Sequence, residues 1–323
     1  MNSVLRYSLG RAAQSIPLLL VVVCAAFALV KAAPGDPVTA LAGDFPISEE
    51  YRLEVESRYG LDQPWPVQLL KYLGSVVRGD LGFSFMNNED VSTLIWQRLG
   101  PTVLLTGGAM LLASIGGVVV GTLAARRPGG VVDVSSQLAA FAAYAMPVFW
   151  LGQLLIMLFA IKLGWLPAGG MRSLRDPKSG FEGVLQVGKH MILPAVVFAA
   201  RYFAITMRVV RDGVIGGMDS DYSIAARARG VRERRILVSH ALRNAMLPVV
   251  TILSLNLGFA MSGTVLIETV YNWPGLGRLL FDAIGSRDYP VVAGVFIVLT
   301  SAVVVINLIA DILYGVLDPR VTE

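Results

Sequence analysis

Uncharged apolar runs long enough to cross a lipid bilayer constrain this chain more than any other feature. Residues 12–30, 101–125, 134–161, 247–267 and 289–310 contain no Asp, Glu, Lys or Arg, and residues 190–207 contain only Arg201. About 20 apolar residues in an α-helix span the ~30 Å hydrocarbon core. Lipid offers the backbone no hydrogen bonds, so such segments satisfy their own N–H and C=O groups as helices. The chain as a whole carries 15% charged residues, against about 25% in a soluble domain. These runs cross every position where 323 residues could divide into two soluble domains. The expected fold is therefore an all-α polytopic membrane protein with six transmembrane helices, a single domain over residues 1–323.

The first run follows Arg6 and Arg11 and could be a secretory signal. Its length and the five runs after it favour a retained helix. Flanking charge sets the orientation. With the N-terminus inside, Arg6, Arg11, Arg126, Arg127, Arg320 and the basic stretch 207–247, with eight basic and four acidic residues, face the cytoplasm. Residues 32–98, with ten acidic and five basic residues, form a long outer loop. Residues 162–189 would also lie outside, although five basic residues there outnumber two acidic ones. The balance places both termini in the cytoplasm. Within the outer loop, residues 48–59 open on a Ser and two Glu suited to a helix start. Val91, Leu94, Ile95 and Leu99 recur at helical spacing with Trp96 among them. Two readings stand: a short interfacial helix, or an apolar lead-in to the next span.

Enzymatic chemistry finds little support. Cys24 is the only cysteine, and His190 and His240 are the only histidines. They are assigned to the outer end of the fourth span and to the inner loop, so they cannot share a metal. Gly183 to His190 nearly matches a phosphate loop, but His190 replaces the Ser or Thr that would hold magnesium, and no strand precedes it. Arg201 is costly inside a span, about 2.5–3.5 kcal/mol at its centre. It either lines a translocation cavity or pairs and snorkels within the bundle. Gly117 and Gly121 form a small-xxx-small pair that either admits a neighbouring helix or faces lipid.

The most informative segment is the inner loop, residues 219–245. Ser220, Asp221 and Ser223 can each cap a helix, alanine-rich sequence follows, and Gly230 interrupts it as a C-cap or turn would. A second basic helix from about Arg232 runs into the fifth span. The basic residues could serve topology alone. A nucleic-acid role is disfavoured because the loop is tethered between two spans.

This loop resembles the EAA loop of binding-protein-dependent ABC importers, with Ile224-Ala225-Ala226, three further residues, then Gly230. Ile224 stands where that family has glutamate, and Arg243 follows Leu242 where proline is usual. Both departures fit the peptide branch better than the sugar branch. From end to end the chain resembles the B-type permease subunit of dipeptide and oligopeptide importers. The shared strings are Pro34-Gly35-Asp36-Pro37, Tyr59-Gly60-Leu61-Asp62-Gln63-Pro64, Arg78-Gly79-Asp80-Leu81-Gly82, Pro147-Val148-Phe149-Trp150 and Gly164-Trp165-Leu166-Pro167-Ala168-Gly169-Gly170. They continue with Trp273-Pro274-Gly275-Leu276-Gly277, Arg287-Asp288-Tyr289-Pro290 and Leu317-Asp318-Pro319-Arg320. Gly35, Gly79, Gly82, Gly275 and Gly277 are read locally as turn glycines.

The resemblance implies a type I ABC importer permease fold in the bacterial cytoplasmic (inner) membrane, and half of a translocation pathway. It implies a C-type second permease subunit, cytoplasmic ATPase subunits and an extracytoplasmic peptide-binding protein as partners, with the lipid bilayer around them. The chain itself would be non-catalytic and hold no cofactor, since the ATPase subunits bind ATP and magnesium. Coupling to the ATPase is carried over to Asp221, Tyr222, Ala225, Ala226, Gly230 and Arg232. Nickel or glutathione import by the same family is an alternative. A stand-alone secondary transporter is another, though neither ionisable relays nor inverted repeats are visible.

Overall fold

The computed structural model describes residues 2–32, 48–50, 53, 63–84, 86–173 and 175–317. Most of the expected helix at 48–59, the Pro34 to Pro37 string, most of the Tyr59 to Pro64 string and Asp318 to Arg320 lie outside the described residues. Among the described residues, five helices are long and apolar enough to cross a membrane, and a bent pair supplies a sixth span. The chain divides into two compact units whose segments alternate along the sequence: Met1–Val103, Met261–Thr269 and Trp273–Glu323 in one, Leu104–Ala260 and Val270–Asn272 in the other.

In the first unit, the Asn2–Ala32 helix packs along the Tyr289–Leu317 helix through Val22, Val23, Ala26, Ala293 and Ile297. The Trp65–Val77 helix closes on this seam, Trp65 and Tyr72 meeting the Phe27 ring. Lys31 Nζ donates to Gln68 Oε1 at 3.0 Å. A two-stranded antiparallel ladder, Phe83–Ser84 with Glu89–Asp90, then leads into the Val91–Ala125 helix. Val91, Leu94 and Ile95 are buried against Leu276, Leu279, Val291 and Val295. An ideal Cβ on Gly294 would lie 2.6 Å from Val91 Cγ1, so the approach requires glycine. Residues 91–99 are the apolar lead-in to the second span and not a separate interfacial helix. The span does not begin at Pro101 but runs unbroken from Val91, because its first turns bury in protein while Trp96 stays 73% exposed.

In the second unit, Gly117 and Gly121 admit a neighbouring helix rather than face lipid. A Cβ on Gly117 would lie 2.7 Å from Thr206 Cβ, and one on Gly121 would lie 2.5 Å from the Met207 carbonyl oxygen. Both neighbours belong to the Gly180–Met218 helix. The expected span 190–207 is the middle of this 39-residue helix, whose buried residues continue at helical spacing beyond it to Val210, Val214 and Gly217. His190 therefore sits ten residues inside it, not at a helix end. The expected span 134–161 is not continuous. Val131–Ala145 and Val148–Lys162 meet at 111°. Pro147 forces the preceding residue out of the helical region, and Met146 is extended at φ −72°, ψ 135°. The fifth span begins at Glu233 and ends at Met261, ahead of the expected 247–267 at both ends.

Candidate functional site

The polar loop between Met218 and the Glu233–Met261 span is a short helix, a tight turn and the start of the next helix. The short helix is Asp221–Ala228, with Ser220 at the N-cap position. The capping expectation fails in its chemistry. The Ser220 hydroxyl does not accept from the helix but donates to the Gly217 carbonyl, and the buried Ser223 hydroxyl donates to the same oxygen, each at 2.6 Å. Both serines thus tie the helix start to the end of the Gly180–Met218 helix. At the other end Gly230 has φ +75°. Its N–H reaches Arg227 O, and Val231 N–H reaches Ala226 O. This pair of bonds is a Schellman closure, which favours glycine.

Arg227 was not singled out by sequence, yet it locks the loop. Its Nε donates to Glu233 Oε1 at 2.7 Å and its Nη1 to Met218 O at 3.1 Å. Glu233 also holds the Arg227 guanidinium above its ordinary pKa. The only signal in sequence was opposite charge across a glycine turn. Of the residues carried over as coupling contacts, Asp221, Tyr222, Ala225, Gly230 and Arg232 are exposed and Ala226 is half-buried. Tyr222 leans toward the chain, its ring centroid 6.4 Å from that of His240. Beside the turn, Arg229, Arg232, Arg234 and Arg235 line an open basic basin of about 670 Å³.

The next helix begins as Glu233–Arg235 and continues through a π-helical stretch, Ile236–Leu242, into Arg243–Ser262. Leu237, Ala241 and Ala245 pack on Val210 and Val214. A Cβ on Gly217 would lie 2.9 Å from Ala241 Cα. The loop is thus seated on two closely packed helices.

A second anchor lies along the same long helix. Arg211 Nε and Nη2 grip both oxygens of Asp133, which is 1% exposed. Asp133 also accepts from Gly129 N–H and Gln137 Nε2, each at 2.8 Å. At 78 positions apart, the two partners carry no local pattern.

Arg201 lies on the Gly180–Met218 helix opposite the break in the bent pair. Its guanidinium carbon is 5.3 Å from the Tyr144 ring centroid. With Tyr144, Met146, Pro147, Leu151 and Val197 it lines a cavity of about 260 Å³. Arg201 makes no ion pair among the described residues.

The glycines of the Trp273 to Gly277 string serve a buried carboxylate in the first unit. Glu268 Oε1 accepts from Thr102 Oγ1 at 2.7 Å, and Oε2 accepts from Arg278 N–H at 3.0 Å. Thr102 Oγ1 in turn accepts Leu276 N–H, so the start of the Leu276–Ser286 helix closes on this node. A Cβ on Gly275 would collide with the carboxylate. Gly277 is helical rather than a turn residue, and a Cβ there would lie 2.6 Å from Val265 Cα. Burial pushes the Glu268 carboxyl above its ordinary pKa, against the donors around it. Trp273 Nε1 donates to Pro101 O at 2.9 Å.

Comparison with known proteins assigns this arrangement. Residues 117–323 match the family model of the binding-protein-dependent transport system inner membrane component, and residues 4–106 match the N-terminal model of such membrane components. The chain is 40% identical to the oligopeptide transport system permease protein AppB of Bacillus subtilis, over 98% of both chains. It is 37% identical to the dipeptide transport system permease protein DppB of Escherichia coli K12, over 98% of both. It is equally identical to the di/tripeptide transport system permease protein DppB of Pseudomonas aeruginosa, over 95% of both. The six-span all-α architecture is that of the type I ABC importer permeases. The chain belongs to the family of binding-protein-dependent transport system inner membrane components, multi-pass permease subunits of the inner membrane.

Proposed function

We propose that this chain is a permease subunit of an ATP-driven peptide importer and forms half of its translocation pathway with a second, C-type permease subunit. The polar loop faces the cytoplasm, as do both termini, and its Asp221–Ala228 helix seats in a cleft of an ATPase subunit. An external binding protein delivers peptide to the opposite face. ATP and magnesium are held by the ATPase subunits, and this chain carries no catalytic group. Asp221, Tyr222, Ala225, Ala226, Gly230 and Arg232 form the contact. ATP-driven closure moves that helix, and the rigid connection to the long helices converts the movement into tilt of the spans. The kinship to peptide permeases supports the substrate class.

One observation carries the coupling role: an exposed helix whose own chain ties down both ends through Gly217 and Arg227. Such a helix transmits displacement instead of yielding to it. Ala225→Glu places a charge on the exposed face without disturbing contacts inside the chain. Expressed with its neighbouring subunits, the variant should keep its thermal stability but lose the copurifying ATPase and at least ~10-fold of ATP-dependent uptake, the equivalent of about 1.4 kcal/mol. Retention of both would contradict the proposal.

A further inference from the structure

We infer that the cavity at the break of the third span binds a peptide carboxylate through Arg201. This rests on the proposed peptide import and adds a specificity-determining contact to it. Two independent features converge on the cavity. Backbone that leaves the helix at membrane depth is tolerated only where it is buried in protein or lines a watery cavity, and Met146 and Pro147 leave it here. An ionisable residue within a span faces the bundle interior or a cavity, and Arg201 lines this one.

The chemistry of the lining selects the ligand. The guanidinium is a fork of donors suited to a planar carboxylate. The Tyr144 ring lies 5.3 Å from it, within cation–π range. Ala143, Met146, Val148, Leu151 and Val197 supply apolar walls. Among the described residues, no acidic side chain lines the cavity to neutralise the charge. A volume of about 260 Å³ is below the ~300–1,000 Å³ of drug-sized sites. It accommodates one residue of a peptide with its carboxylate, the remainder extending along the pathway.

The test uses the assembled importer in proteoliposomes, supplied with saturating peptide-loaded binding protein and ATP. Three substrates separate the sources of the carboxylate: trialanine, its C-terminal amide, and the amide of Ala-Glu-Ala. Wild-type ATP-dependent uptake of trialanine is the control for the proposed function, and its absence would count against that reading alone. Arg201→Gln should lower trialanine uptake about 10-fold, the scale of one lost charge-assisted hydrogen bond. Uptake of the trialanine amide should change less than about 2-fold, and Arg201→Lys should recover part of the loss. Dependence on Arg201 for the Ala-Glu-Ala amide as well extends the contact to side-chain carboxylates. Equal losses for trialanine and its amide would assign Arg201 to packing or to an acid on the partner permease, and would overturn the inference. Unchanged trialanine uptake would do the same.

Discussion

Glu268, Asp133 and Gly121 show how much single residues carry here without any local signature. Glu268 sits in an apolar stretch, and its partners come from Thr102, 166 residues away, and from the main chain ten residues on. No periodicity rule anticipates a buried carboxylate met by backbone donors, so sequence marked the neighbouring glycines and missed the acid they surround. Glu268→Ala leaves those donors unpaired and should cost about 1–3 kcal/mol per lost partner, seen as a lower melting temperature of the purified protein. Burial raises the folded pKa of this carboxyl. Its protonated form therefore favours folding fully below the ordinary glutamate range, and the benefit declines as pH climbs toward the raised value. Glu268→Gln should flatten that part of the stability–pH curve, and an unchanged slope would show that the carboxyl does not govern it. At Gly121 the obstacle is the Met207 carbonyl, which cannot rotate away as a side chain can. Gly121→Leu should destabilise by about 1–3 kcal/mol or more through overpacking, whereas Leu111→Ala on an exposed face should not. Comparative thermal unfolding of the two variants checks this.

At the scale of elements, hydropathy located the spans but not their limits. Lipid dictates only the middle of each helix, and burial in protein decides how far the ends continue. The Val91–Ala125 helix gains its first turns from contacts with Leu276 and Val291, which a linear pattern does not contain. The break at Pro147 was hidden because the apolar run continues across it without a polar residue. The helix–turn–helix of the polar loop was legible, since alanine-rich sequence and a glycine stop are local chemistry. Its fastening by Ser220, Ser223 and Arg227 was not, because hydroxyls and guanidinium reach backward to Gly217 and Met218. The turn itself supports a discriminating pair of variants. Nothing surrounds the Gly230 Cβ position, so space is not limiting within this chain and only the positive φ is. Gly230→Asn, tolerant of that conformation, should fold with nearly the parent's stability. Gly230→Val should lower uptake and stability by about 1–2 kcal/mol, and equal behaviour of the two variants in uptake and melting would refute the turn argument.

For the whole molecule, six spans followed from the uncharged apolar runs, and family membership from the order of weak strings along the chain, each uninformative alone. The proposed orientation rests on charge balance, and the basic excess in residues 162–189 is the one countercurrent. A cysteine-free background needs only Cys24 replaced. On it, Arg229→Cys should react with a membrane-impermeant maleimide in inverted vesicles, and Asp176→Cys in right-side-out ones. Both positions are exposed. The reverse pattern would turn the polar loop away from any ATPase.

The Gly180–Met218 helix has 39 residues, about 58 Å at 1.5 Å per residue. Pivoted near one end, a rod of that length swings its other end by about 5 Å for a rotation of only about 5°. Arg201 rides roughly midway along it and moves about half as far. Under the proposed coupling, small angular strokes at the ATPase become ångström-scale displacement of the guanidinium, and leverage of that kind needs no unfolding of the rod.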